Sequence, residues 1–351
     1  MRSSATSVVG VLVVLTTVVD VFYTVLFPGS GRGPLRRPLS RLVHGAFGLT
    51  RGLPRRWRRR ILAYAGPTHV AATLLAWFAM LLIGWAAIYR PALGDGIVAA
   101  QGSTVRSWGT AFYFSGYTLT TLGLGDVVAA SPAYRALTVI EAAMGFMTFT
   151  LVISYFLTVY STLTGRNAFA LSLHQRSGGT GRGVDIVRAL WQEGPAGAAI
   201  QLAEMATEMR RLVQTHTSYP VLRSFHDECE YDALPRILQT CWETAALLRT
   251  TVLVPAERPE LAGSSPREIA ASAGELCTRV VRAPIERGPL PSQRERWLAD
   301  HARAREELLA AGVPVRDDAG EEYVDARAGW EPSVAMLAHH LLYEWDTPAP
   351  S

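Results

Sequence analysis

The sequence predicts an all-α integral membrane protein with an additional helical domain outside the membrane. Two observations support this fold class. Three stretches are apolar and long enough to cross a bilayer, which takes about 20 predominantly apolar residues. The charge is also unevenly divided, because residues 1–163 contain 14 Arg and 4 acidic residues, whereas residues 164–351 contain 20 Arg and 26 acidic residues. The first half therefore has the composition of a membrane protein and the second half that of a soluble domain.

Each of the apolar stretches is predicted to be a membrane-spanning helix: Val8–Phe27, Thr68–Tyr89 and Ala136–Leu163. The first is longer than the roughly 7–15 apolar residues of a signal peptide, and no Ala-x-Ala-like cleavage site follows it. A retained N-terminal span within residues 1–30 is therefore favoured over a cleaved leader. Asp20 and Glu141 lie inside these stretches, where an ionisable group is costly, so each is a candidate for a special role. The sequence does not identify the partner of Asp20, although Tyr23 or a Ser or Thr of a neighbouring helix could satisfy it.

The loop Pro28–Pro67 fixes the expected orientation, because it contains ten Arg and no acidic residue. The positive-inside rule places it in the cytoplasm, so the N-terminus lies outside and everything after about Thr164 lies inside. Residues 31–66 form a basic linker in which apolar residues recur at helical spacing between arginines. Either an amphipathic helix on an anionic leaflet or a solvated linker would fit this pattern. The apolar residues are Leu35, Leu39, Leu42, Val43 and Phe47, and the arginines between them are Arg36, Arg37 and Arg41.

A fourth uncharged stretch, Ser107–Gly125, lies between the second and third spans. Its helical part, Trp108 to about Thr120, is too short at about 1.5 Å per residue to cross a core of about 30 Å. We therefore expect a segment that enters from the outer side and turns back. Non-helical backbone at that depth is tolerated only where it lines a water-filled path or is buried in protein, so the geometry predicts a pore-like element.

The end of this segment reads Thr118-Leu119-Thr120-Thr121-Leu122-Gly123-Leu124-Gly125-Asp126. It resembles the selectivity filter of the potassium channel family, whose signature is Thr-Val-Gly-Tyr-Gly-Asp after a Thr-x-Thr helix end. The resemblance covers residues 67–163, with an outer helix at 68–89, a pore helix at 108–120, a filter at 121–126 and an inner helix at 136–163. A glycine-rich turn between two membrane helices is the alternative, but it would not explain the paired threonines or the trailing Asp126.

The resemblance implies that the filter, Thr121, Leu122, Gly123, Leu124 and Gly125, binds the ions. The K⁺ ligands would be the carbonyls of the first four residues and the hydroxyl of Thr121, with Thr120 and Asp126 as supports. Successive inward carbonyls need backbone angles that alternate in hand, which Gly123 and Gly125 permit at no Cβ cost. One chain supplies one such strand, so the family implies a homotetramer. No cofactor is expected beyond the transported K⁺.

Leu124 departs from the family pattern, since Tyr usually occupies this place and its hydroxyl commonly braces the filter. We expect a looser filter with weaker discrimination of K⁺ against Na⁺, although some tandem-pore potassium channel subunits share the Gly-Leu-Gly sequence. Tyr117 stands where several relatives carry an acidic residue in the pore helix.

Gly145 lies in the inner helix, where it is either a bend used in opening or a site of close packing against the pore helix. By family analogy, an apolar stripe would face the water-filled path: Phe146, Phe149, Ile153, Leu157 and Ser161. Glu141, near the start of the same helix, is expected to bond the back of the pore module.

After a linker at 164–183, residues 184–351 are predicted to form a helical cytoplasmic domain. Its expected helices are Asp185–Glu193, Ala196–Thr217, Ala233–Val254, Pro266–Val281, Ser292–Ala311 and Pro332–Trp345. The run Gly178–Gly183 lacks a βαβ context, so a flexible linker is favoured over a nucleotide site. No arrangement of side chains indicates catalysis, and nothing indicates a nucleic-acid partner.

The sequence thus predicts a passive potassium channel with its gate in the inner helix. We expect a multi-pass protein of the plasma membrane, in contact with lipids, with a cytoplasmic C-terminal domain. The alternatives are a poorly selective cation channel and a non-conducting membrane sensor or scaffold. The stimulus that opens the pore, and any cytoplasmic ligand or protein partner, stay open.

Overall fold

The computed structural model describes residues 2–26, 34–52, 54–226, 229, 231–281, 291–341 and 343. Apart from one small sheet, its regular elements are helices, in agreement with the all-α membrane fold. In chain order the elements are α1 (Arg2–Val21), α2 (Arg36–Gly48), α3 (Arg55–Ala63), α4 (Ala65–Tyr89), β1 (Ile97–Ala99), α5 (Trp108–Leu119), β2 (Val127–Ala129), α6 (Pro132–Arg176), α7 (Gly183–Gln192), α8 (Gly194–Ser218), α9 (Leu234–Thr250), α10 (Ser264–Val281), α11 (Pro291–Ala310), α12 (Gly320–Ala328) and α13 (Glu331–His340).

The chain divides into two compact units. The membrane unit comprises Met1–Gly52 and Tyr64–Ser161, and the helical unit comprises Leu53–Ala63 and Thr162–Ser351. Three helices in the described part of the chain are apolar and long enough to span a bilayer, and they coincide with the three predicted spans. They cover Ala5–Val25, Arg60–Ala92 and Pro132–Arg176.

Two glycines bring the backbones of α1 and α4 close together in the membrane unit. A Cβ atom on Gly10 would lie 2.5 Å from the carbonyl oxygen of Gly84, and one on Gly84 would lie 2.7 Å from Cγ2 of Val14. Neither position has room for a side chain. Small residues allow this close approach between membrane helices, so α1 packs directly against α4.

Asp20 joins three elements of the membrane unit. Its side chain is buried, and the indole Nε1 of Trp77 donates a hydrogen bond of 2.7 Å to Oδ2. The backbone N–H of Leu35, immediately before α2, donates a bond of 2.8 Å to Oδ1. Both of these donors differ from Tyr23 and from the Ser or Thr that the sequence offered as candidates. An indole on α4 and a backbone amide at the start of α2 satisfy both carboxyl oxygens instead.

The basic linker contains helix α2, which favours the helical alternative for this segment. Residues 31–33 and 53 of that linker lie outside the described residues, as do residues 27–30, which include the predicted end of the first span at Phe27. Leu42 in α2 and Leu49 just after it are exposed, and so is Arg41. Whether this surface contacts lipid stays a prediction.

Aromatic rings hold the short helix α5 against α4. The rings of Tyr89 and Phe114 meet edge to face at 4.9 Å between centroids, and Trp85 stacks on Tyr89 at 5.6 Å. The three side chains are almost fully buried, as are Leu81 and Ile97 beside them. Packing of this apolar layer fixes the position of α5, from which the segment of interest emerges.

The helices of the helical unit differ from the sequence-based expectations at two places. Helix α6 continues to Arg176, through most of the stretch 164–183 that was expected to be a linker. It does so because Phe169, Ala170 and Leu173 are buried in the core of this unit. Helix α12 was not expected, since Tyr323 and Val324 are the only large apolar residues in its nine.

The glycine run after α6 is a bonded turn rather than a free linker. Gly178, Gly179 and Gly181 adopt positive φ angles of 64°, 90° and 68°. The N–H of Gly181 donates to Oγ of Ser177 at 2.8 Å, and the hydroxyl of Thr240 in α9 donates to the carbonyl of Gly181 at 2.6 Å. Glycine suits these left-handed positions, so the run connects α6 to α7 in a fixed conformation. The expected end of the last helix, Trp345, lies outside the described residues.

Candidate functional site

The segment 120–126 leaves the C-terminal end of α5 without a break. At the start of α5, Oγ of Ser107 accepts a hydrogen bond of 3.1 Å from the N–H of Thr110, which caps the helix. At its end, the N–H of Thr121 donates to the carbonyl of Thr118 at 3.0 Å, and the N–H of Leu122 donates to the carbonyl of Tyr117 at 2.8 Å. The first residues of the segment are thus held by the last turn of the helix.

The backbone of this segment alternates in hand. Thr121, Gly123 and Gly125 have φ angles of 57°, 59° and 81°, whereas Leu122 and Leu124 between them have negative φ. Thr121 is the one residue other than glycine with a positive φ in the part of the chain that the structure describes. A β-branched residue rarely adopts this conformation, so the local geometry is strongly imposed. When φ alternates in sign along a segment, successive main-chain carbonyls can all face the same side.

Hydrogen bonds hold the outer end of the segment to α5 and to β1. The hydroxyl of Tyr113 donates to Oδ2 of Asp126 at 2.8 Å, and the hydroxyl of Tyr117 donates to the carbonyl of Val127. The N–H of Ala100 donates to the carbonyl of Asp126 at 2.8 Å. From there the chain enters the antiparallel sheet, in which Val127, Val128 and Ala129 pair with Ala99, Val98 and Ile97.

Tyr113 and Tyr117 were not predicted from the sequence as contacts of the segment. A signal was present, because the two tyrosines lie four positions apart on α5 and therefore on one face of that helix. The distance along the chain to Asp126 and Val127 hid the connection.

Thr120 and all residues from Thr121 to Asp126 are exposed in the single chain. This includes Leu122 and Leu124, which are apolar and more than half exposed. An open groove of about 740 Å³ adjoins the outer end of the segment, between residues 99–105 and the face of α5 that carries Tyr113. In a single chain, the irregular backbone of residues 120–126 is therefore exposed.

Comparison with known proteins decides what this part of the chain is. Residues 73–162 match the sequence model of a family described as "Ion channel". These residues form an ion channel domain. The match includes most of α4, all of α5, the segment 120–126 and the first part of α6.

A relative supports the membrane assignment over a longer part of the chain. It is described as the uncharacterized membrane protein YdjJ of Bacillus subtilis (strain 168), and it is 28% identical over 220 residues. The alignment covers 62% of this chain and 62% of the relative, so less than two thirds of either protein is matched. No solved structure matches the chain.

Within the ion channel domain, Gly145 on α6 lies against the end of α5. A Cβ atom on Gly145 would overlap the carbonyl oxygen of Leu119 and would lie 2.9 Å from its carbonyl carbon. This contact favours the close-packing interpretation of Gly145 over the hinge, since α6 is one uninterrupted helix here.

Glu141 also connects α6 to the back of α5. The side chain is buried, and the hydroxyl of Ser115 donates a hydrogen bond of 2.6 Å to Oε1 of Glu141. The expectation that Glu141 bonds the back of the pore module is thereby confirmed. The ion channel domain thus ties the inner helix to the pore helix at two positions, Glu141 and Gly145.

The predicted cavity-lining residues lie on α6 and are exposed in the single chain. Their role in a water-filled path stays a prediction, as do the ion ligands of the filter. They are Phe146, Phe149, Ile153, Leu157 and Ser161.

Proposed function

We propose that four copies of this chain form a potassium channel of the plasma membrane. The observation that carries the proposal is the alternating backbone of Thr121–Gly125 inside an ion channel domain. A dehydrated cation needs successive rings of oxygen ligands, and main-chain carbonyls of this segment supply them in the manner of potassium channel filters. The hydroxyl of Thr121 adds a further ring of ligands.

The exposure of the filter in one chain supports a tetramer. Irregular backbone at membrane depth is tolerated only when protein buries it or when it lines a water-filled path. A ring of four chains supplies both conditions, because each filter then faces the axis on one side and protein on the other. Fourfold symmetry also turns one strand per chain into closed rings of ligands.

The arrangement around the filter suits a cation. The C-terminal end of α5 carries the negative end of the helix dipole, and it lies directly before Thr121. The exposed face of α6 lines the inner part of the path, where apolar residues such as Phe149 and Leu157 close the pore by dewetting. Transport is passive, and gating takes place in α6.

The arginine-rich segment before α4 sets the orientation in the membrane. The positive-inside rule places α2 and α3 on the cytoplasmic side, and the two spans that follow, α4 and α6, then return the chain to that side for the helical unit.

Ion flux in reconstituted vesicles tests the proposal. Wild-type protein should carry K⁺, and Gly123→Ala should abolish most of this flux, because position 123 requires a positive φ. Gly109→Ala is the matched control. It makes the same change in α5, where the nearest atom to the new Cβ is Oγ of Ser107 at 3.6 Å, so flux should persist.

Reversal potentials separate the two channel functions. A reversal potential near that of K⁺ in mixed K⁺ and Na⁺ supports a selective channel, and a value near zero in symmetric total cation supports a poorly selective one. Absence of flux in wild type and both variants, under every activating condition tried, would favour the non-conducting sensor or scaffold.

A further inference from the structure

We propose that Tyr117 is a positioning residue that sets the geometry of the filter, in place of the tyrosine that is absent at position 124. The inference rests on the proposed channel function. It replaces the expectation of a loose filter with a specific source of rigidity on the pore helix.

Tyr117 bonds both ends of the filter. Its backbone carbonyl accepts a hydrogen bond of 2.8 Å from the N–H of Leu122, at the inner end. Its hydroxyl donates to the carbonyl of Val127, just beyond the outer end. A single residue of α5 therefore fixes the distance between the entry and the exit of the segment.

The ring of Tyr117 is itself held in place. It is buried, and it meets the ring of Tyr113 at 5.4 Å and that of Phe114 at 5.3 Å between centroids, both edge to face. Packing of this kind leaves the hydroxyl few alternative positions. The donor of the hydrogen bond from Tyr117 to Val127, which we call the brace, is consequently held rigidly on α5.

The acceptor of this bond is fixed too. Val127 is the first residue of β2 and pairs with Ala99 of β1. The preceding Asp126 is held by the hydroxyl of Tyr113 and by the N–H of Ala100. By contrast, the side chain of Leu124 has no polar atom and is more than half exposed in the single chain. The brace therefore comes from the pore helix rather than from the filter.

A fixed length between the two ends keeps the carbonyl rings at one size and spacing. Without the hydroxyl of Tyr117, the outer end gains freedom to move, and the rings adapt more easily to the smaller Na⁺. Discrimination between the ions, rather than conduction itself, should then be the property most sensitive to this bond.

The test is Tyr117→Phe, which removes one oxygen atom and keeps the ring. We expect the tetramer to form and to conduct, with a permeability ratio of K⁺ to Na⁺ that falls several-fold. Tyr134→Phe is the matched control: it makes the same change near the start of α6, where the hydroxyl makes no hydrogen bond within the described part of the chain. Its permeability ratio should equal that of wild type.

An unchanged permeability ratio in Tyr117→Phe would overturn the inference while leaving the channel function intact. Loss of assembly in Tyr117→Phe, seen by size-exclusion chromatography with mass measurement, would also overturn it, because the hydroxyl would then serve folding rather than positioning. Failure of the wild-type protein to conduct would instead contradict the proposed function, and this outcome is distinguishable because it does not depend on any variant.

Discussion

Thr121, Gly123 and Gly125 all have a left-handed backbone conformation, but its free-energy cost differs between them. Gly123 and Gly125 adopt positive φ freely, whereas Thr121 is β-branched and pays for the same conformation with strain on the order of 1–3 kcal/mol. Such strain persists only where the surroundings impose it. Here the bond from the N–H of Thr121 to the carbonyl of Thr118 fixes the start of the segment.

Gly145→Ala provides a test at the residue scale. The added methyl group would overlap the carbonyl of Leu119, so we expect a loss of about 1–3 kcal/mol in the free energy of unfolding, measured by thermal unfolding in detergent. Gly165→Ala, on the same helix, is the control, since its nearest neighbour is Nη2 of Arg211 at 3.6 Å. It should be neutral or slightly stabilising, because Ala favours helix over Gly.

A different result would revive the hinge interpretation. If Gly145→Ala unfolds like wild type but alters the open probability in single-channel recordings, bending rather than packing is the role of this glycine.

At the scale of elements, the sequence predicted what depends on local composition. The three spans followed from the length of their apolar runs, and α5 followed from an uncharged stretch too short to cross the membrane. Contacts between distant residues could not be predicted in this way. Trp77 lies 57 positions from Asp20, and nothing in either local sequence indicates that the two side chains meet.

The same distinction between local sequence and distant contacts applies to the filter. Its ends and its glycines were visible in the motif, but the bonds from α5 to Asp126 and Val127 depend on how the chain folds back after Gly125. Helix α12 was missed for another reason, since a short helix with two large apolar residues gives too weak a periodicity.

Asp20→Asn tests the junction between α1, α2 and α4. The amide has one acceptor oxygen, yet two donors, Nε1 of Trp77 and the N–H of Leu35, face this side chain. One donor would lose its partner, so we expect a loss of about 1–3 kcal/mol in stability, measured by thermal unfolding in detergent.

Thr16→Val is the control for that experiment, because it removes a hydroxyl from α1 that bonds only its own helix at Leu12, on an exposed face. It should unfold close to wild type. Equal stability of Asp20→Asn and wild type would show that the junction does not hold the three elements together.

At the scale of the whole molecule, the three spans differ in how well one chain covers them. The most apolar windows of the first two spans are 28% and 39% buried, whereas that of α6 is 6% buried. Helix α6 also follows directly on the filter and its sheet. A mostly exposed α6 beside an exposed segment 120–126 agrees with the tetramer that we propose, in which neighbouring chains would cover both.

Cysteine accessibility tests which face of α6 lines the path. In a Cys229→Ser background, which removes the exposed native thiol, we expect a positively charged methanethiosulfonate reagent applied from the cytoplasmic side to block most of the current of Leu157→Cys. Val159→Cys is the control, because Val159 is fully buried on the other side of the helix. Block of the control alone would place the path on the opposite face.

The pairing of β1 with β2 has a consequence for the order of folding. The sheet closes a loop that contains the whole of α5 and the segment 120–126, so it holds the two ends of this loop together. Closing this loop costs chain entropy, which contacts formed later must offset. The sheet contributes little toward this, because it has only three residue pairs. The segment 120–126 should therefore be among the last parts of the domain to fold.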